Sequence, residues 1–199
     1  MRWLTLLFAV MLAACSTLPP PARPDDLCRI FQQRPKWYES ARSSSRHWGI
    51  PVPVLMATMR QESSYQAKVR PPRRYYLGVI PGGRASDAYG YAQAKEDIWT
   101  RYRSDAHHGW ASRDDFADAV DFIGWYDHQS VQHAGIPADD AYHLYLSYHE
   151  GLGGYQRHSY RNKPWLQALA RHVAYQSRRY EQQLSACRDA LDASLHHWF

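Results

Sequence analysis

Apolar residues recur at helical spacing along most of the chain. From Asp115 to Gln132, Phe116, Ala119, Val120, Ile123, Tyr126 and Val131 keep a period near 3.6, predicting a long amphipathic helix with Asp118, Asp121 and Asp127 on its outer side. The stretch "PADDAYHLYLSYHEG" opens with Pro and acids, as helix starts do, and sets Ala141, Leu144, Tyr145 and Tyr148 on one stripe that Gly151 ends. From Pro164 onward, Leu166, Leu169, Val173, Tyr180, Leu184, Cys187 and Leu191 mark another helix, with Cys187 facing inward. The exception is Gln66 to Ala94, where Pro-Pro, Pro-Gly-Gly and scattered arginines break any helix and predict a long loop with room for a short hairpin. Ordered loops of that length in a compact domain usually carry function. The fold class expected is therefore mainly α.

A further helix, opened by Pro51 and Pro53, carries the first chemical signal. Its inward positions are Val52, Leu55, Met56 and Met59, and the next members of that series are Glu62 and Ser63. A carboxyl on a buried stripe at a helix C-terminus meets two effects of the same sign. Loss of hydration and the unpaired carbonyls both disfavour its charge and raise its pKa, which suits a general acid near neutral pH. The competing reading turns Glu62 to solvent or pairs it with Arg60 or an arginine of the following loop.

The beginning of the chain reads differently. In "MRWLTLLFAVMLAAC" one Arg precedes an apolar run that ends in small residues, as in a secretory signal, and the run is short for a membrane span. Leu12-Ala13-Ala14-Cys15 resembles the bacterial lipobox, in which Cys15 becomes the lipid-bearing first residue; ordinary signal cleavage is the alternative. Ser16 follows where an aspartate would suggest inner-membrane retention. The expectation is a periplasm-facing protein anchored to the outer membrane, with residues 1–14 a signal peptide, 15–26 a Pro-rich tether and 27–199 one folded domain.

Of 199 residues, 45% are hydrophobic and 14% aromatic, enough for a real core. Cys28 and Cys187 lie near the two ends of that domain, and an oxidising compartment makes them a candidate disulfide, with two buried thiols as the alternative. The net charge of +5 is compatible with an anionic envelope polymer or simply a solvated basic surface. No nucleic-acid motif is present, and export argues against one. The 11 histidines include the adjacent pairs His107-His108 and His196-His197, which lack zinc-ligand spacing, so neither metal nor cofactor is expected.

Three ordered blocks then resemble lytic transglycosylases of the soluble-lytic-transglycosylase type, lysozyme-like enzymes that cleave peptidoglycan. "LMATMRQESSY" is similar to the block with the catalytic Glu-Ser pair, Glu62 and Ser63. "YGYAQA" is similar to the Gly-Leu-Met-Gln block, matching Gly90 and Gln93, with Tyr91-Ala92 in place of Leu-Met. "YLSYHEGLGGY" is similar to the Ala-Tyr-Asn-x-Gly block, matching Tyr148 and Gly151, with His149 in place of Asn.

The resemblance implies a lysozyme-like helical domain, monomeric, whose partner is the peptidoglycan glycan strand. It implies Glu62 as the catalytic acid, with Ser63, Gly90, Tyr91, Gln93, Tyr148 and His149 along the substrate. The reaction implied breaks the link from N-acetylmuramic acid to N-acetylglucosamine and leaves a 1,6-anhydro ring. Two alternatives stay open. One is a hydrolase of the same fold that uses Asp87 or Asp97 to activate water; the other is a non-catalytic peptidoglycan-binding lipoprotein. Glu150, beside the third block, is expected as a solvated helix-end residue.

Overall fold

The computed structural model describes residues 18–76 and 79–196. The signal-like run and the lipobox cysteine Cys15 lie outside the described residues. Among the described residues, eight α-helices run in order: α1 (Leu27–Gln33), α2 (Pro35–Trp48), α3 (Val52–Ser63), α4 (Glu96–Asp105), α5 (Phe116–Ala134), α6 (Ala141–Glu150), α7 (Leu152–Gln156) and α8 (Pro164–His196). A single 3-10 turn, Ser159–Asn162, links the last two. The long loop between α3 and α4 holds the hairpin β1 (Arg73–Tyr76) and β2 (Ile80–Arg84), antiparallel with Arg73 opposite Arg84 and an irregularity before Tyr75.

Local chemistry sets the helix ends. Asp26 caps α1 through Arg29 N–H, Asp115 caps α5 through the amides of Ala117 and Asp118, and Asp140 caps α6 through His143 N–H. Pro35 and Pro164 begin α2 and α8, where a missing amide proton costs nothing.

Helices α3 and α5 form the centre. Helix α3 packs on α8, α5, α2 and α6, and every residue from Val52 to Met59 is buried, so its apolar stripe widens to the whole circumference until Arg60. Helix α5 is enclosed by α2, α3, α4, α6 and α7. That enclosure corrects one expectation: Asp127, expected on the outer side, is completely buried, while Asp121 accepts hydrogen bonds from Trp48 Nε1 and the Tyr102 hydroxyl. A helix with neighbours on nearly all sides keeps little solvent face, and periodicity alone does not reveal that. On its flank, Trp37 stacks on Phe116 with ring centroids 4.0 Å apart and planes 3° from parallel.

Helix α8 runs for 33 residues, about 50 Å, and closes the domain from the chain's beginning to its end. Cys28 and Cys187 are bonded, joining α1 to α8 across a sequence separation of 159. The same helix grips the segment before α1. Gln183 donates to the Asp25 carbonyl at 3.0 Å and accepts from Leu27 N–H at 2.8 Å, and the Tyr180 hydroxyl donates to the Pro24 carbonyl. Arg60 pairs with Asp25 at 3.1 Å. The last residues of the expected tether are therefore held by the fold, because their backbone groups find partners on α8. Among the described residues, no helix is long and apolar enough to cross a membrane.

Candidate active site

At the C-terminal end of α3 the chain enters the left-handed region twice, at Ser64 (φ 51°) and Tyr65 (φ 61°). Side chains without glycine's freedom stay there only when their surroundings hold them. Tyr65 supplies the hold: its ring is fully buried, and its hydroxyl bonds the Met56 carbonyl at 3.0 Å and the Tyr180 hydroxyl at 2.9 Å. This abrupt stop leaves Glu62 on the last turn, facing a cleft of about 440 Å³.

The cleft is walled by Gln93 and Ala94 from the turn before α4, Asp97 and Ile98 from α4, Phe122 and Tyr126 from α5, and Tyr148, His149 and Glu150 from α6. Glu62 keeps part of its surface open to this space but is otherwise densely surrounded. Burial drives its pKa up to about 7, and the Tyr145 hydroxyl only partly offsets that. The pairing with Arg60 allowed by the sequence does not occur. Arg60 turns to Asp25 and to the Ser64 hydroxyl, and Glu62 has no salt-bridge partner among the described residues.

The second block is a turn. Tyr89 bridges to Ala94, and between them Gly90 takes φ 81° while its amide donates to the Val69 carbonyl at 3.1 Å. A Cβ at position 90 would sit 1.9 Å from the Arg113 carbonyl oxygen, so backbone approach and dihedral both demand glycine there. The Gln93 amide donates to the carbonyls of Val69 and Gly90, at 3.0 and 2.9 Å, while the residue lines the cleft. The Tyr148 hydroxyl donates to the Ala92 carbonyl at 2.6 Å, tying α6 to this turn.

The residues implied by resemblance thus divide. Glu62, Gln93, Tyr148 and His149 come together on the cleft, whereas Ser63, Gly90 and Tyr91 do not line it. Ser63 is buried and donates to the Met59 carbonyl of its own helix at 3.3 Å. Tyr91 turns into the core, edge-on to Trp37 and Phe116 at 5.8 Å from each, because the tight turn at Gly90 points the next side chain inward. Of the two aspartates considered for water activation, Asp97 lines the cleft and Asp87 does not; Asp87 instead accepts from Glu96 N–H at 3.2 Å.

Three features were invisible in the sequence. Tyr145, read as core packing, is buried and also acts on the Glu62 carboxyl, lowering its pKa against the effect of burial. Glu150, expected in solvent, has a side chain only 4% exposed, with both carboxylate oxygens on Lys163 Nζ at 2.7 and 2.9 Å. Burial acts to raise its pKa, but hydrogen bonds from Lys163, Ser159 and His149 outweigh it and the net direction is down. Asp127 is the third: neither carboxyl oxygen has a partner, and burial pushes its pKa up to about 8. Its charge would also raise the pKa of Tyr148 and Tyr126, two residues of the cleft wall.

A larger groove, of about 780 Å³, lies at the other end of α3 between α2 and α8. Two of its carboxylates are held by arginine, Asp192 by Arg42 at 2.8 Å and Glu181 by Arg188 at 3.6 Å. That arrangement does not build an acid. Among the described residues, no three His, Cys, Asp or Glu side chains group as metal ligands.

A mainly helical domain with one uncompensated, partly buried glutamate at a helix end, opening on an aromatic and amide-lined cleft, defines a lysozyme-like glycan-cleaving class. Comparison with known families agrees: the family model described as the transglycosylase SLT domain matches residues 3–187, and the chain belongs to that family. Membership supports, in general terms, lytic transglycosylase activity with peptidoglycan glycan strands as substrate. No curated protein and no solved structure matches the chain.

Proposed function

We propose that the protein cleaves the β-1,4 bond between N-acetylmuramic acid and N-acetylglucosamine and leaves 1,6-anhydro ends, with Glu62 as the only acid–base group. One observation carries this reading: Glu62 faces the cleft with its pKa raised to about 7 by burial, and among the described residues it has no salt-bridge partner. Such a carboxyl is protonated often enough to act as acid and basic enough afterwards to act as base.

In the proposed sequence Glu62 gives its proton to the glycosidic oxygen, and the N-acetylglucosamine side leaves as an alcohol. The acetamido carbonyl oxygen of the substrate attacks the anomeric carbon in its place. The Glu62 carboxylate then takes the proton of the C6 hydroxyl, whose oxygen attacks the same carbon and releases the acetamido group. No water is consumed, and Glu62 ends protonated. A second carboxylate, which ordinary glycosidases need, is not required. The other glutamate of the cleft suits this scheme, since Lys163 and Ser159 already occupy Glu150. Gln93, Tyr148 and His149 would contact the sugar, while Ser63, Gly90 and Tyr91 would act by shaping the wall.

A hydrolytic reading has one observation in its favour, the presence of Asp97 on the same cleft. Digestion of purified sacculi with muropeptide mass analysis separates the two. Anhydro ends are expected; ends one water heavier would establish hydrolysis, which Asp97→Asn would then have to abolish if Asp97 activates the water. With Glu62→Gln, cleavage should fall by about 10²–10⁴. A wild-type protein that binds sacculi and cuts nothing would instead make it a binding lipoprotein.

The working location proposed is the periplasmic face of the outer membrane, as a monomer held through lipidated Cys15, and the Cys28–Cys187 disulfide supports an oxidising compartment. Palmitate labelling that survives Cys15→Ala would exclude the anchor.

A further inference from the structure

Trp165 stands in the first turn of α8 with 55% of its surface exposed, a large apolar side chain left half in water. It does not stand alone. Its ring packs edge-on against His149 with centroids 5.2 Å apart, and His149 is part of the cleft wall. The indole therefore adjoins that wall at His149. By contrast Trp110 is fully exposed.

The position of Trp165 is also built. Glu150 is buried at the end of α6 and holds Lys163, two residues before Trp165, by the two contacts of its carboxylate. Ser159, in the intervening 3-10 turn, donates to the same carboxylate, and His149 Nδ1 lies 3.3 Å from it. Pro164 begins α8 directly after Lys163. One ion pair, with its carboxylate buried and its lysine half in water, thus joins the α6 end to the α8 start and fixes the indole beside the imidazole.

We propose that Trp165 forms a further sugar subsite at the His149 end of the cleft, stacking on the apolar C–H face of a pyranose ring while His149 meets its polar edge. The proposal rests on reading the cleft as a glycan-cleaving site. A flat, rigid ring with few torsions loses little entropy on binding, and a pyranose offers one apolar face and a rim of hydroxyls.

The test measures KM and kcat on solubilised glycan strands for wild type, Trp165→Ala, Trp165→Leu, Trp165→Phe and the control Trp110→Ala. Losing one stacking contact is expected to raise KM roughly three- to tenfold in the Ala and Leu variants, with the loss carried mainly by KM. Trp165→Phe should stay within about twofold of wild type, since it keeps an aromatic face. Trp110→Ala should leave KM alone. Leu keeps an apolar side chain beside His149 without an aromatic face, and matched thermal melts for the variants show whether the fold is intact, so an effect shared by Ala and Leu but spared by Phe reports the ring face. If wild type cleaves and the Leu variant matches it, the subsite is wrong and the site reading stands. If wild type cleaves nothing, the site reading falls and takes the subsite with it.

Discussion

The Tyr145 hydroxyl on α6 acts on the Glu62 carboxyl on α3, and its influence is the one that opposes burial in setting that group's pKa. Tyr145→Phe removes the hydroxyl and keeps the ring. The pKa of Glu62 should then rise further above about 7, because the charged form loses the hydroxyl that favours it. The alkaline limb of the pH–rate profile, where the acid loses its proton, should move to higher pH. A limb that stays in place would show that Tyr145 does not tune the acid.

Asp127 should make the protein less stable as pH rises. Its folded pKa of about 8 lies above the ordinary 3.8, so between these values the unfolded chain gives up its proton first and folding must keep a carboxyl neutral. Asp127→Asn removes that penalty. The stability of the variant relative to wild type should grow from pH 4 to pH 8 and level off above, by up to a few kcal/mol. Urea unfolding across this pH range measures it, and a difference independent of pH would rule out a buried titrating acid.

Lys163→Met should act with the opposite pH dependence. The pKa of Glu150 is lowered in the fold, so its contribution is present above 4.5 and is lost as pH falls through the folded value. At pH 7 the loss should be on the order of 1–2 kcal/mol, held down by solvent screening because Lys163 is 39% exposed. Near pH 3 the variant and wild type should converge. Thermal melts at the two pH values make the comparison, and an equal loss at both would point to packing by the lysine stem instead.

Reduction of Cys28–Cys187 should loosen the whole domain, since the bridge links α1 to α8 across a separation of 159 residues. In the chain-entropy model the loop is worth about 5 kcal/mol, an upper figure. Denaturant unfolding with and without reductant is the measurement. An unchanged midpoint would mean that the contacts of Gln183 and Tyr180 with the start of the chain already hold it.

How much of this was legible in the sequence depends on the kind of signal. Helices α3, α5, α6 and α8 could be read from spacing, proline and capping residues, because each depends on neighbours within a few positions. Glu62 was legible for the same reason: its place in the series Val52, Leu55, Met56, Met59 is a local fact, and burial of that series is what drives its pKa up. The three blocks, as resemblances, marked Gln93 and Tyr148, which line the same cleft.

Direction and partnership were decided elsewhere. Whether Tyr91 faces sugar or Trp37 depends on a turn closed against Arg113, and whether Asp127 meets water depends on how many helices surround α5. Glu150 found Lys163 only when the end of α6 met the start of α8, and Tyr145 found Glu62 only when α6 packed beside α3. Periodicity states which side of a helix is apolar; it cannot state what stands opposite. The sequence by itself determined four of the helices and the place of Glu62 on a buried stripe, since those follow from short-range sterics and hydrophobic spacing. The tertiary structure alone decided which polar groups lost their water and which found a partner, because desolvation and pairing belong to surfaces brought together from distant parts of the chain.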